Sequence, residues 1–313
     1  MTTFNGGRYV QQQLDSIESQ TWQPDELTIC DDGSTDDTLR ILEAFRRKAS
    51  FQVHIHSNDR NLGFTENFGQ ALLQCAGELI FLCDQDDCWY SNKVEVMAHA
   101  HITNPEQLLI IHDGELVEEN LVSAGSTKLG QVMAGYGSDE WFVTGALTTI
   151  RRELLGYGLP IPPGIVGHDG WLHYVARMLD RRMVLDHSLQ LLRRHSSNTS
   201  ASVASSTSKI NRMVALRDMS SQPPASSYQD RLLYNGALFE RIRVMEQAGV
   251  RPAVIDFMKC SDRLLRERAA IISRDSLPGM GFVARKRQAL RMARRGEYRY
   301  FNGFYSFVRD ILR

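Results

Sequence analysis

The chain has 313 residues, 36 Lys and Arg against 37 Asp and Glu, and a hydrophobic fraction of 42%. That length can bury a full core, as one large domain with an appendage or as two modest ones, and the balanced charge excludes both a disordered chain and a highly charged nucleic-acid binder. Cys30, Cys75, Cys83, Cys88 and Cys260 form no CxxC pair and no usual zinc spacing, so with no membrane-length apolar run and no signal-peptide pattern they read as free thiols of a cytoplasmic protein.

Thr2 to Gly7 reads as a strand end followed by a loop. Apolar residues at Tyr9, Val10, Leu14 and Ile17 predict an amphipathic helix over 8–20. Glu26 to Cys30 reads as a strand and Asp31-Asp32-Gly33-Ser34 as a turn. Ser34-Thr35-Asp36-Asp37 can cap a helix from Thr38 to Lys48. A strand over Phe51 to His56, a loop over 58–63, a helix over 64–76 and a strand over 78–83 follow. This alternation predicts an α/β fold with a mainly parallel sheet.

Beyond Lys93 the pattern loosens. Leu108 to His112 reads as a strand, Gly125 to Gly137 as a Gly-rich mobile loop, and Phe142 to Ile150 as a strand or strand plus turn. Gly145 there permits close backbone approach. Residues 159–163 form an extended connector, and Gly170 to Leu179 a helix. Met183 to Leu185 and Leu189 to Leu192 read as two short strands. The Ser-rich stretch 196–209 reads as a flexible loop or weak helix start. The remainder is mostly helical, broken near Pro223-Pro224, Pro252 and Pro278. Its last part, 281–313, is strongly basic and interleaved with aromatics.

The acidic run Asp84-Gln85-Asp86-Asp87 directly follows an apolar strand. In open α/β sheets ligands bind at that strand end. Carboxylates so crowded repel one another unless a cation or shared protons neutralise them. A hard divalent ion, Mg²⁺ or Mn²⁺, held together with substrate phosphates suits one or two such ligands. Asp87 is the leading candidate ligand and Asp86 the next. The plain alternative is a solvated acidic loop. Trp89 either joins the core or shelves a sugar face.

Asp32 lies in a second acidic turn. It is either part of a capped turn or, as an acceptor-only carboxylate, a reader of an imide edge such as uracil or thymine. Thr3, Phe4 and Asn5 on the neighbouring strand end would complete a base and ribose pocket. Asp169 is either a helix N-cap or a general base for an acceptor hydroxyl, with His168 orienting it. His195 with Asn198 forms a polar cluster that either reaches the diphosphate or metal or is a satisfied surface group. A dinucleotide fingerprint is missing: its place holds Asn5-Gly6-Gly7-Arg8-Tyr9. There is no Walker A lysine motif. An aspartyl-phosphate reading of Asp84 and Asp86 would want the motif on an early strand.

The segment TTFNGGRYVQQQLDSIESQTWQPDELTICDDGSTDDTLRIL, NLGFTENF at 61–68, FLCDQDDCWYSNK at 81–93, GHDGW at 167–171 and RRHSSN at 193–198 together resemble family 2 glycosyltransferases of the GT-A fold. The acidic motif followed by tryptophan, and the later segments, look most like the bacterial rhamnosyltransferase branch that builds O-antigen, capsule and other surface polysaccharides. The resemblance implies a mixed, mainly parallel central sheet flanked by helices. It implies a catalytic domain over 1–200, with a nucleotide-binding half 1–93 and an acceptor-side half 94–200. A helical extension over 201–313 follows.

It further implies inverting transfer from a UDP- or dTDP-sugar, dTDP-rhamnose foremost, to a lipid-linked or growing glycan. UDP-galactose, UDP-glucose and UDP-N-acetylhexosamine stay open as donors. Thr3, Phe4, Asn5, Asp32 and Asp86 match the donor contacts, Asp87 and Asp86 the metal-binding acids, with His195 as a further candidate ligand, and Asp169 the catalytic base. Two departures stand out. Only Met1 precedes Thr2 where the family carries a buried strand, so either the start lies upstream or that strand is a stub. Gly170 replaces a bulky aromatic. The basic C-terminal segment either touches an anionic membrane face peripherally or packs as ordinary helices. A nucleic-acid partner would leave the acidic cluster unexplained. The alternative function is a non-catalytic nucleotide-sugar-binding or assembly protein.

Overall fold

The computed structural model describes residues 1–198, 203–215, 224–250, 252, 255–301 and 303–312. The chain divides into two compact units, Met1–Met219 and Ser220–Arg313. Residues 199–202 of the Ser-rich stretch, and Pro223, lie outside the described residues.

The first unit opens with strand β1 (Thr2–Thr3), helix α1 (Val10–Glu18), β2 (Glu26–Asp31), α2 (Thr38–Arg46), β3 (Gln52–Ser57), α3 (Phe64–Gln74), β4 (Leu79–Phe81), β5 (Cys88–Trp89) and α4 (Lys93–Thr103). It continues through β6 (Leu109–Val117), β7 (Ser123–Thr127), α5 (Lys128–Tyr136), β8 (Thr148–Arg151), α6 (Glu153–Gly158), α7 (His168–Met178) and β9 (Arg182–Arg193). β1, β2 and β3 form a parallel sheet in that order. A second, mixed sheet runs β4-β8-β6-β9-β5, with β7 on β6. Its β6–β9 pair is parallel and its other pairs are antiparallel. Thr2 N donates to Cys83 O at 3.4 Å, which joins the end of the first sheet to the chain leaving β4.

Apolar periodicity explains the layers. Val10, Leu14 and Ile17 of α1 recur at helical spacing and are all buried, against Ile29 of β2 and Leu42 and Phe45 of α2. Five consecutive residues of β2, Leu27 to Asp31, are buried, as expected of a strand covered on both faces. β6 is buried along nearly its whole length. Truncating a side chain such as Ile29 to alanine in such packing costs about 2–5 kcal/mol.

Two sequence expectations are corrected. Gly125–Gly137 is not a mobile loop: it holds the end of β7 and all of α5. Asp113 Oδ1 accepts from Leu129 N at 2.8 Å, Thr127 Oγ1 accepts from Gly130 N at 3.1 Å, and Gly137 closes the helix at φ 71°. Met183–Leu185 and Leu189–Leu192 belong to one strand, β9. Its register against β6 shifts between His112 and Asp113, where the exposed Asp186 and His187 interrupt the apolar pattern.

The second unit is helical: α8 (Pro224–Gln247), α9 (Phe257–Asp275), α10 (Phe282–Arg294) and α11 (Gly303–Leu312). Tyr228, Ala270, Ile271, Ala289, Met292 and Phe301 are among its core residues. A buried bidentate pair fastens α9 to α11, with Arg274 Nε donating to Asp310 Oδ2 at 2.8 Å and Nη2 to Oδ1 at 3.2 Å. Tyr298 Oη donates to the same carboxylate at 3.1 Å. Among the described residues no helix is long and apolar enough to cross a membrane.

Candidate active site

The short strand β4 delivers the chain into the acidic loop. There one oxygen from each of Asp84, Asp86 and Asp87 lies within 4.8 Å of the other two. Asp87 is buried and held by β9: Oδ2 accepts from Gln190 Nε2 at 2.9 Å and Oδ1 from Arg193 N at 3.0 Å. Asp86 is half-buried, and its Oδ2 accepts from Asn198 Nδ2 at 3.1 Å and faces His195 Nε2 at 2.8 Å. Among the described residues no donor reaches the Asp84 carboxylate. Burial, then the charges of Asp86 and Asp169, push the Asp84 carboxyl up to about 7. Burial, then the charges of Asp86 and Asp84, raise Asp87 well above the usual carboxylate range. Three hard oxygens this close, with one carboxylate undonated, fit a divalent cation.

Arg193 braces this arrangement. Its Nε donates to Asp86 O at 2.7 Å and its Nη1 to Glu119 O at 2.6 Å, while the guanidinium lies 4.9 Å from the Tyr9 ring centroid. Tyr9 in turn stacks on His195 at 4.6 Å. Tyr9 and Arg193 also wall an open polar cavity of about 520 Å³ beside Arg8 and Glu119.

The ends of β1 and β2 meet next to this loop. Thr3 is buried and its hydroxyl donates to Asp31 Oδ2 at 2.7 Å. Phe4 is 45% exposed, and its backbone is clasped by Gln85: Phe4 N donates to Gln85 Oε1 at 2.9 Å and Gln85 Nε2 donates back to Phe4 O at 3.1 Å. Asn5 adopts φ 46° and its Oδ1 accepts from Thr35 N at 2.9 Å. Asp32 is buried, and its carboxylate holds the following loop. Oδ1 accepts from Asn58 Nδ2 and Leu62 N, both at 2.8 Å, and Oδ2 from Gly63 N at 2.9 Å. Thr3, Phe4 and Asn5 therefore gather at the strand end with Asp31 and Gln85, while Asp32 faces the 58–63 loop.

Asp169 sits in the first turn of α7, two positions further into the helix than the N-cap the sequence suggested. Its Oδ2 accepts from Gly145 N at 3.2 Å and its Oδ1 from Gly170 N at 2.8 Å. It lies close enough to the acidic loop for its charge to help raise Asp84. Gly145 is needed here. A Cβ on it would come within 2.8 Å of His168 Nε2 and 3.5 Å of Asp169 Cβ. His168 stacks on Phe68 at 3.7 Å, and burial pulls its ring down to about 4, so it is neutral at pH 7.

Lys93 and Gln190 were not singled out from the sequence as site residues, and Asp84 was named only as part of the acidic run. Gln190 carried a readable signal, a lone amide inside the apolar run Leu189 to Leu192. Trp89 is core, 8% exposed and packed on Phe81.

A parallel sheet, a mixed sheet and an acidic loop at their junction define a GT-A-like fold with a helical C-terminal extension. Residues 1–155 match the family described as glycosyl transferase family 2. Over those residues the chain is that of a family 2 glycosyltransferase, and it is related to diverse bacterial members. An uncharacterized glycosyltransferase of Nostoc sp. is 28% identical over 220 residues, 67% of this chain and 68% of that protein. The poly(ribitol-phosphate) beta-N-acetylglucosaminyltransferase TarS of Staphylococcus aureus is 35% identical over 94 residues, 29% of this chain but only 16% of TarS. The crystal structure of TarS 1–349 in complex with UDP-GlcNAc superposes with a TM-score of 0.57 at 15% identity, covering 99% of this chain and 87% of that one. At that identity the likeness is one of fold. The family expected from the sequence motifs is thus borne out, at the level of family 2 and the GT-A fold.

Proposed function

We propose that this protein is a metal-dependent inverting glycosyltransferase. The carrying observation is that Asp84, Asp86 and Asp87 converge at a strand end, with Asp169 of α7 close enough for its charge to act on Asp84. Asp87 and Asp86, joined by Asp84, would hold Mg²⁺ or Mn²⁺, and His195 supports them through Asp86. A cation bound there supplies charge stabilisation to the departing diphosphate. Thr3, Phe4, Asn5 and Asp32 shape the nucleotide end of the donor site, Asp32 by ordering the 58–63 loop. Asp169 takes the proton of an acceptor hydroxyl as its oxygen bonds to the anomeric carbon. The bond from that carbon to the diphosphate breaks, the electron pair leaves with the phosphate oxygen, and configuration inverts.

The donor class is a UDP- or dTDP-sugar. The acidic loop with its tryptophan, and the His195–Asn198 cluster, favour dTDP-rhamnose, and TarS, crystallised with UDP-GlcNAc, favours a UDP-sugar. The acceptor is a lipid-linked or growing surface glycan. Peripheral membrane contact fits α10, whose outer face interleaves Phe282 (58% exposed) and Leu290 (46% exposed) with Lys286, Arg287 and Arg294.

A calorimetric panel of UDP- and dTDP-sugars, with Mn²⁺ and with EDTA, tests this reading. Metal-dependent binding of one donor, followed by transfer to a hydroxyl acceptor, is expected. Donor binding without turnover would leave a nucleotide-sugar-binding protein, and no metal-dependent binding of any donor overturns the assignment.

A further inference from the structure

Beneath the acidic loop lies a buried lysine that the mechanism does not use; burial pulls its amine down to about 7. Lys93, the first residue of α4, is 1% exposed. Its Nζ donates to Gln190 Oε1 and, at 3.1 Å, to Ala146 O, and it lies 3.9 Å from the Trp89 ring centroid. None of these partners is a carboxylate. Gln190 is fully buried and bridges: its oxygen takes the Lys93 ammonium and its nitrogen donates to Asp87 Oδ2 at 2.9 Å. The β5–β9 ladder sets this geometry, because Gln190 is paired opposite Trp89 and Cys88 opposite Leu191.

An amide has one acceptor end and one donor end. With Lys93 on the oxygen, only the NH₂ can face Asp87. Without Lys93 the amide could turn, and its oxygen would then meet the carboxylate. Burying an ammonium is costly, and a methionine would fill the same space at no such cost. Lys93 also lowers Asp84 and Asp87 through its charge, and its contact with the Gln190 oxygen gives it an orienting role besides.

Resting on the metal reading above, we propose that Lys93 and Gln190 are positioning residues. Lys93 locks the Gln190 amide so that Asp87 is held with its carboxylate oriented toward a divalent cation.

The proposal has a sign that separates it from simple electrostatics. Through space, removing a positive charge would tighten cation binding where the carboxylates are ionised, so the titration is run at a pH above which the Mn²⁺ Kd no longer changes. Through the relay, removing it loosens Asp87 and weakens binding, and lost partners of a ligating carboxylate typically cost 10–100-fold in metal affinity. The test titrates Mn²⁺ into the full chain in the presence of UDP or dTDP, reading free Mn²⁺ by electron paramagnetic resonance. Lys93→Met, Gln190→Met and the double variant are near-isosteric, and circular dichroism checks their folding. Each single variant should raise the Mn²⁺ Kd about tenfold, and the double variant should be no worse than either, since both act on one contact. Nucleotide binding in EDTA should be unchanged. Tighter or unchanged Mn²⁺ binding in Lys93→Met, or additive effects, overturns the relay. Should Lys93→Met not fold, Gln190→Met decides alone, and an unaltered Kd overturns the proposal. Failure of the unaltered protein to bind Mn²⁺ overturns the metal reading, and this inference with it.

Discussion

His195 Nε2 lies 2.8 Å from Asp86 Oδ2, so the segment after β9 is fastened to the loop after β4 across 109 positions of sequence. Asn198 Nδ2 reaches the same oxygen at 3.1 Å. Two partners on one carboxylate oxygen orient Asp86 toward Asp84 and Asp87. His195→Ala is expected to weaken metal-supported donor binding about tenfold. Calorimetry showing unchanged affinity would reduce His195 to a packing role against Tyr9.

Asp87→Asn removes a charge from the cluster and presents an amide nitrogen to Gln190 Nε2 or Arg193 N, both donors. Mn²⁺-dependent binding of UDP or dTDP should fall at least tenfold, and the clash of donors should cost about 1–3 kcal/mol of stability. Full affinity with Mn²⁺ present would remove Asp87 as a ligand.

Asp169→Asn keeps the side-chain shape and, with its one amide oxygen, only one of the hydrogen bonds from Gly145 N and Gly170 N. Donor binding should survive, and transfer should drop about 10²–10⁴-fold, the usual worth of a general base. Near-normal transfer to the true acceptor would rule it out.

Gly145→Ala tests the same residue by another route. The added Cβ would press on His168 Nε2 at 2.8 Å and on Asp169. Turnover should fall while Mn²⁺ binding stays, because the metal cluster lies on a different loop. Equal loss of both would mean the substitution disturbs the whole cleft.

Acid should destabilise the fold. Burial pulls His101 and His168 down to about 4, and His112 and His173 well below their ordinary value. In the unfolded chain all four return to about 6.5. Between those limits the unfolded state binds more protons, so this stability is full above about pH 6.5 and is lost as pH falls toward 4, at about 1.4 kcal/mol per unit per ring. Asp84, Asp87 and Asp113, raised in the fold, act in the opposite sense, but the four rings outnumber these three carboxyls. The thermal midpoint of the metal-free protein should be lower at about pH 4.5 than at about pH 7. An equal or higher midpoint would contradict neutral buried rings.

If α10 lies on a membrane, Phe282→Ser combined with Leu290→Ser should reduce co-sedimentation with anionic vesicles. Both side chains point outward, 58% and 46% exposed, so the helical core around Ala289 and Met292 is spared. Equal pelleting of altered and unaltered protein would end the membrane proposal.

The amino-acid sequence by itself determined the local elements and the family. Apolar spacing in α1 and α3, the strand running into Asp84–Asp87, and the capped turn at Asp31–Ser34 are written in neighbouring residues, because periodicity and turn chemistry act over a few positions. Tertiary structure decided what each polar group does. Asp32 read as either part of a capped turn or a base contact, and only the fold shows that its carboxylate holds the 58–63 loop. Gly125–Gly137 read as mobile because of its glycines, yet Asp113, from another strand, caps its helix. Gln190 and Arg193 reach Asp87 across 103 and 106 positions. Such partners are set by strand pairing and register, and the hydrogen bonds of a buried carboxylate depend on what folding brings beside it, which no local spacing encodes.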